Sequence, residues 1–207
     1  MVTTMMKFNR KNIFPIATIF FSLLMMFAFL SGCAKKDEDN SSAQSESSSS
    51  GDFVGNVSKV SSVRKAEGTK VADFTWTDEN GKKTSFAEFS KDNVVLINFW
   101  ATWCGPCKRE LPDLVAIRNE YKDQNIKILG ISVDQDGDVL NLVHNFAQQA
   151  NLAYPIIIDN GDLQEVFGGI RGIPTSFFIN KKGEIVKKMI GLQTKDTFKA
   201  ELLAAAK

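Results

Sequence analysis

Val94 to Trp100 reads Val-Val-Leu-Ile-Asn-Phe-Trp, and Cys104-Gly105-Pro106-Cys107 follows three residues later. A short, nearly continuous apolar run of this kind predicts a strand buried on both faces, which requires a sheet with helices packed on either side. Behind the cysteines, Leu111, Leu114, Ile117 and Tyr121 recur at helical spacing. The cysteine pair is therefore expected where a buried strand turns into a helix. Unpaired backbone N–H groups and the positive end of the helix dipole favour a thiolate there. Cys104, on the exposed turn, is expected to be the nucleophile, and Cys107, one turn inside, the buried resolving thiol. Pro106 suits the first helical turn, and Pro112 is expected to kink the helix.

The rest of the chain from Val71 alternates between the two periods. Phe74-Thr75-Trp76 and Thr84-Ser85-Phe86 flank Asn80-Gly81, a dipeptide suited to a tight hairpin turn. Strands are expected at 126–133, 154–158 and 175–179, and at 184–190 after the turn Lys181-Lys182-Gly183. Helical faces fall at 138–150, 163–167 and 194–206. This order predicts an α/β sandwich with a mixed, mostly parallel central sheet flanked by helices, an N-terminal hairpin and a central strand–helix insertion.

A bare Cys-x-x-Cys is also half of a metal site. The chain has 3 Cys and 1 His, which excludes a four-ligand Cys/His zinc framework. Two thiolates can hold copper(I), so a copper-binding chaperone stays open as an alternative. A formal charge of +1 offers no basic surplus for nucleic acid. That average hides an asymmetry: of 25 basic residues, Lys7, Arg10 and Lys11 lie within residues 1–32, leaving 22 against 24 acidic residues from Cys33 onward.

Those three charges precede the uncharged run Ile13 to Leu30, and Leu30-Ser31-Gly32-Cys33 ends it. A positive n-region, an apolar h-region and small residues at the end read as an export signal over residues 1–32, in competition with a membrane-anchoring helix. Leu-Ser-Gly-Cys resembles the bacterial lipobox, which implies lipid on Cys33. Lys35 to Gly51 is polar and serine-dense, too poor in apolar residues to fold, and with 52–70 forms an expected tether over residues 33–70. Phe53, Val54, Val57, Val60 and Val63 are expected to touch the domain only loosely. The folded domain is expected at 71–207.

Phe99-Trp100-Ala101-Thr102-Trp103-Cys104-Gly105-Pro106-Cys107-Lys108-Arg109-Glu110-Leu111-Pro112 and Gly172-Ile173-Pro174-Thr175 together resemble the two signatures of the thioredoxin-like superfamily, in its TlpA/ResA branch of membrane-tethered thiol–disulfide oxidoreductases. The resemblance covers essentially all of 71–207. It implies a redox-active disulfide between Cys104 and Cys107, a cis peptide at Pro174 opposite it, and a substrate-binding surface of Trp103, Gly105, Pro106 and Ile173. Exported disulfide-containing proteins are the implied substrates, with cytochrome c maturation among the family's roles. A membrane thiol transporter is the implied electron donor. No organic cofactor or metal is implied, and the protein is expected to be a monomer in the cell envelope. Gly105-Pro106 and Ile173 resemble reducing relatives, whose couples lie near about −270 mV.

One departure matters. Thioredoxins carry a buried aspartate where this chain has Asn98, which cannot titrate. Glu110, three residues after Cys107 on the same helix, is either the proton acceptor or a solvated charge balanced by Lys108 and Arg109. Burial would raise its pKa and suit it to the first role. A thiol peroxidase is the other enzyme reading, but its Pro-x-x-x-Thr-x-x-Cys pattern meets Ile97 and Ala101 here. His144 is expected at the surface. Asp159-Asn160-Gly161-Asp162 lacks the later glutamate of a calcium loop and is expected to cap a short helix.

Overall fold

The structure, a computed structural model, describes residues 56–64, 70–78, 80–135 and 137–207. The leader, Cys33 and the serine-rich segment lie outside the described residues. Among the described residues, eight strands and five helices follow in the order β1 (Val57–Arg64), β2 (Asp73–Thr77), β3 (Lys83–Ser85), α1 (Phe86–Ser90), β4 (Val94–Trp100), α2 (Gly105–Glu120), β5 (Ile126–Ser132), α3 (Val139–Gln149), β6 (Ile156–Ile158), α4 (Asp162–Val166), β7 (Thr175–Ile179), β8 (Ile185–Ile190) and α5 (Lys195–Ala205). They form one sheet ordered β3-β2-β1-β6-β5-β4-β7-β8. The sheet is mixed, but parallel pairing is confined to the four strands β1-β6-β5-β4, and both flanks are antiparallel.

β4 shows why its sequence is so apolar. Successive side chains point to opposite faces. Val94, Leu96 and Trp100 join Leu111, Leu114 and Ile117 of α2, Val143 of α3 and Phe198 of α5 in one core. Val95, Ile97 and Phe99 join Phe86 of α1, Leu163 of α4 and Phe177 of β7 in the other. Each such side chain, fully buried, stabilises the fold by about 1.5–3 kcal/mol. By the same parity Asn98 shares the face covered by α2.

The sheet begins upstream of Val71, where the sequence pattern placed a tether. β1 runs parallel to β6, with Val57 opposite Ile156, and antiparallel to β2, with Val60 opposite Trp76. Its pairing shifts register between Val60 and Ser62, so the buried positions do not alternate cleanly. Val57 enters the first core, while Val60 and Val63 pack against the second.

The β2–β3 connection also differs from a two-residue turn. The Asp78 carboxylate accepts the N–H groups of Asn80 and Lys82, both at 2.9 Å, and closes a longer loop in which Gly81 takes φ +78°. Phe86 opens α1 instead of extending β3, because Ser85 Oγ caps the helix by accepting the Glu88 N–H at 3.1 Å. α2 contains Pro112 within its span. Among the described residues no helix is long and apolar enough to cross a membrane.

Candidate active site

Cys104 is the N-cap of α2, with extended backbone angles, and no acidic residue in the first turn offsets the positive end of the dipole. Its Sγ accepts the Cys107 N–H at 3.2 Å, and its own N–H donates to Ala101 O at 3.1 Å. Cys104 and Cys107 are joined in a disulfide, their Cα atoms 5.3 Å apart. Cys107 is fully buried and Cys104 retains 4% of its surface, so the turn exposes only an edge of the first cysteine, less than the sequence led us to expect. Gly105 and Pro106 are exposed beside it, and Trp103 is 68% exposed.

The second signature arrives through the sheet. β7 runs antiparallel to β4 with Thr175 opposite Phe99, which carries the preceding residues to the cysteines. The Ile173–Pro174 peptide is cis, as the resemblance implied, and Ile173 O lies 3.8 Å from Cys104 Sγ. Gly191 N–H donates to Pro174 O at 2.8 Å, tying the segment after β8 to the same turn.

Glu110 has no exposed surface, so the solvated alternative falls. Asn98 Nδ2 donates to its Oε1 at 2.8 Å, and the Gln193 N–H donates to its Oε2 at 3.1 Å. Burial pushes the carboxyl up from 4.5 to about 7; the Asn98 and Gln193 hydrogen bonds oppose this, and the charge of Asp113 adds to it. Asn98 Nδ2 also donates to Ser176 Oγ at 3.1 Å, so the amide that replaces an acid holds the acid in place. Burial, and after it the charge of Glu110, pushes the Tyr154 phenol up, keeping it protonated. Neither Gln193 nor Tyr154 carries a local sequence signal; only the fold brings the Gln193 N–H onto Glu110 and Tyr154 within range of its charge. The assembly can therefore make and break a disulfide at a nearly covered sulfur, with a carboxylate that exchanges its proton near neutral pH on the same helix as the inner cysteine.

The remaining candidates lie elsewhere. His144 is half-buried on α3 and lines a surface cleft with Val57, Lys59, Asp78 and Asn141. The Asp159 carboxylate accepts the N–H groups of Leu163 at 2.9 Å and Gln164 at 3.1 Å, which makes the 159–162 turn a cap for α4. Ile97 and Ala101, where a peroxidase would need proline and threonine, are fully buried.

Comparison with known proteins agrees with this geometry. The model of the AhpC/TSA family matches residues 68–188. The thiol-disulfide oxidoreductase ResA of Bacillus anthracis is 36% identical over 137 residues, covering 65% of this chain and 76% of that one. The crystal structure of a thioredoxin-family thiol:disulfide interchange protein from Chlorobium tepidum superimposes with a TM-score of 0.60 at 30% identity, over 68% of this chain and 98% of that one. The exposed lipoprotein thioredoxin of Streptococcus pneumoniae gives a TM-score of 0.55 at 28% identity, over 64% and 98%. Family match, relatives and a cysteine pair closed in a disulfide at a helix N-terminus agree: the chain belongs to the AhpC/TSA family of thioredoxin-like proteins and is a thiol–disulfide oxidoreductase of the ResA type.

Proposed function

We propose that the protein reduces disulfides of exported proteins from a lipid anchor on Cys33, with Cys104 as attacker, Cys107 as resolver and Glu110 as proton acceptor. The observation that carries this reading is the placement of Cys104 Sγ, at the start of α2 and 3.8 Å from the Ile173 carbonyl, with Cys107 and Glu110 buried behind it. The reduced dithiol starts the cycle. Cys104 thiolate attacks one sulfur of a substrate disulfide, and the other leaves as a thiolate that takes a proton from solvent. Cys107 gives its proton to Glu110, attacks Cys104 Sγ and expels the second substrate sulfur as a thiolate, which is protonated in turn as Glu110 gives up the proton it took. The substrate gains two electrons, and the protein is left with the Cys104–Cys107 disulfide. A membrane thiol transporter then returns two electrons and two protons.

The backbone at Ile173 would pair with an extended substrate segment, beside a wall formed by Trp103, Gly105 and Pro106. The leader pattern and Cys33 support an extracytoplasmic, membrane-anchored protein, and the pneumococcal relative is itself described as an exposed lipoprotein. Haem-site cysteines in cytochrome c maturation are the narrower substrate reading.

Trapping tests the roles. Cys107→Ser lacks the resolving nucleophile and accumulates mixed disulfides that run large on non-reducing gels and vanish with reductant. Cys104→Ser forms none. Equal trapping by both variants, or trapping by Cys104→Ser alone, overturns the assignment. Mass spectrometry of the trapped partners decides between haem-site cysteines and other substrates.

A further inference from the structure

Trp103 follows a residue held unusually firmly. Thr102 donates its backbone N–H to Asp134 Oδ2 at 2.9 Å and its hydroxyl to Asp134 Oδ1 at 2.7 Å. Asp134 lies just beyond β5 and is 2% exposed. Ser132 Oγ donates to Asp134 Oδ2 at 2.8 Å and accepts the Asp134 N–H at 3.2 Å. Val133 N–H donates to Trp100 O at 2.9 Å, carrying the β4–β5 pairing past the end of both strands. One buried carboxylate thus takes three donors, two of them from a single residue of the loop that leads to Cys104. Hydrogen bonds to an ionised acceptor are about twice as strong as neutral ones. Gripping both the N–H and the hydroxyl of Thr102 fixes its backbone and its side-chain rotamer together.

The other two tryptophans are placed by packing. Trp100 lies against Phe146, and Trp76 against Phe74 and Phe89. Trp103, at 68% exposed, has too little buried surface for packing to aim it. The direction in which its Cα–Cβ bond leaves the chain is set by the backbone on either side: Cys104, anchored as the helix cap and through Ala101 O, and Thr102, anchored by Asp134.

We propose that Asp134 is a positioning residue that acts through Thr102 to aim Trp103 as the docking wall for a substrate chain entering beside Cys104. The docking step rests on the protein-disulfide reading above; the aiming of Trp103 does not. An indole already held in place binds without losing freedom at the moment of contact, and ordering such a side chain costs enough to change affinity about 2- to 10-fold.

The tryptophan content permits a direct test. The chain has 3 Trp, and Trp76 and Trp100 are buried at 5% and 0% exposure, so an aqueous collisional quencher reports Trp103. In the full-length reduced protein, time-resolved anisotropy of the quencher-accessible emission should show faster local motion in Thr102→Val, with wild-type behaviour restored in Thr102→Ser. Asp134→Asn should loosen Trp103 as well, while Thr102→Val preserves side-chain volume should the Asp134 variant fail to fold. For a protein disulfide substrate, Thr102→Val should raise KM about 2- to 10-fold with kcat within about twofold. Trp103→Ala should show the same KM loss and make Thr102→Val silent on top of it. Unchanged Trp103 motion in a folded Thr102→Val overturns the proposal. Faster motion with unchanged KM overturns the docking step and, with it, the role of Trp103 in substrate binding, while the aiming by Asp134 stands.

Discussion

Asn98 and Glu110 meet inside the protein, Nδ2 donating to Oε1 at 2.8 Å across the boundary between β4 and α2. The amide cannot titrate, so the acid–base capacity of this buried spot lies on the helix that also carries the cysteines. Asn98 belongs to the face of β4 covered by α2, and Glu110 lies on the inner face of α2 together with Cys107.

That arrangement makes stability depend on pH with a definite sign. Folded Glu110 keeps its proton up to about pH 7, whereas the ordinary value is 4.5. Below 4.5 both states are protonated and the full contribution is present. Between 4.5 and 7 only the unfolded state has ionised, so stability falls as pH rises, and the loss is complete above 7. Urea unfolding of the oxidised protein from pH 4 to 8 should show a loss of up to about 3 kcal/mol that Glu110→Gln lacks. The same variant should release mixed disulfides up to about 100-fold more slowly and without the inflection near neutrality. Parallel stability and rate profiles for the two proteins would remove Glu110 from the mechanism.

β1 makes a prediction about length. A chain beginning at residue 71 lacks the strand that joins β2 to β6, leaves Ile156–Ile158 at an open sheet edge and uncovers both cores where Val57, Val60 and Val63 pack. It should be less stable than a chain beginning at residue 52 by the order of 5 kcal/mol, or aggregate. Equal thermal unfolding midpoints would show that β1 adds nothing.

Gly130 pairs with Asn98 on one side and Ile156 on the other. A Cβ there would meet Trp100 Nε1 at 3.1 Å, Tyr154 Cε2 at 3.2 Å and Ile156 Cγ1 at 3.4 Å. These groups are buried and cannot retreat into solvent. Gly130→Ala should therefore cost about 1–3 kcal/mol in denaturant unfolding. A neutral substitution would mean that the Trp100 and Tyr154 rings can move apart freely.

The anchoring proposal rests on Leu30-Ser31-Gly32-Cys33. Cys33→Ala should leave precursor unprocessed or mislocalised and abolish incorporation of labelled fatty acid. Undiminished labelling would end it.

Much of the site was legible because its signals are local. The apolar run of β4, the helical spacing behind the cysteines and the turns at Gly81 and Gly183 each follow from a few neighbouring residues. α1 was not: Thr84-Ser85-Phe86 reads as strand, and it is the Ser85 side chain capping the Glu88 N–H that turns the chain into a helix at Phe86. β1 was not, because a register shift blurs its alternation and its parallel partner β6 lies far along the chain. Thr102 and Asp134, 32 residues apart, carry no shared motif that joins them.

By itself, then, the sequence determined that a buried strand delivers two cysteines to a helix N-terminus, since backbone periodicity and the chemistry of a helix end are properties of adjacent residues. Only the tertiary structure decided what Glu110 is. Its neighbours are Asn98 beneath and Gln193, 83 residues away, above. Desolvation depends on everything that packs around a group, and residues from three separate parts of the chain have to meet before this carboxyl can hold a proton at neutral pH.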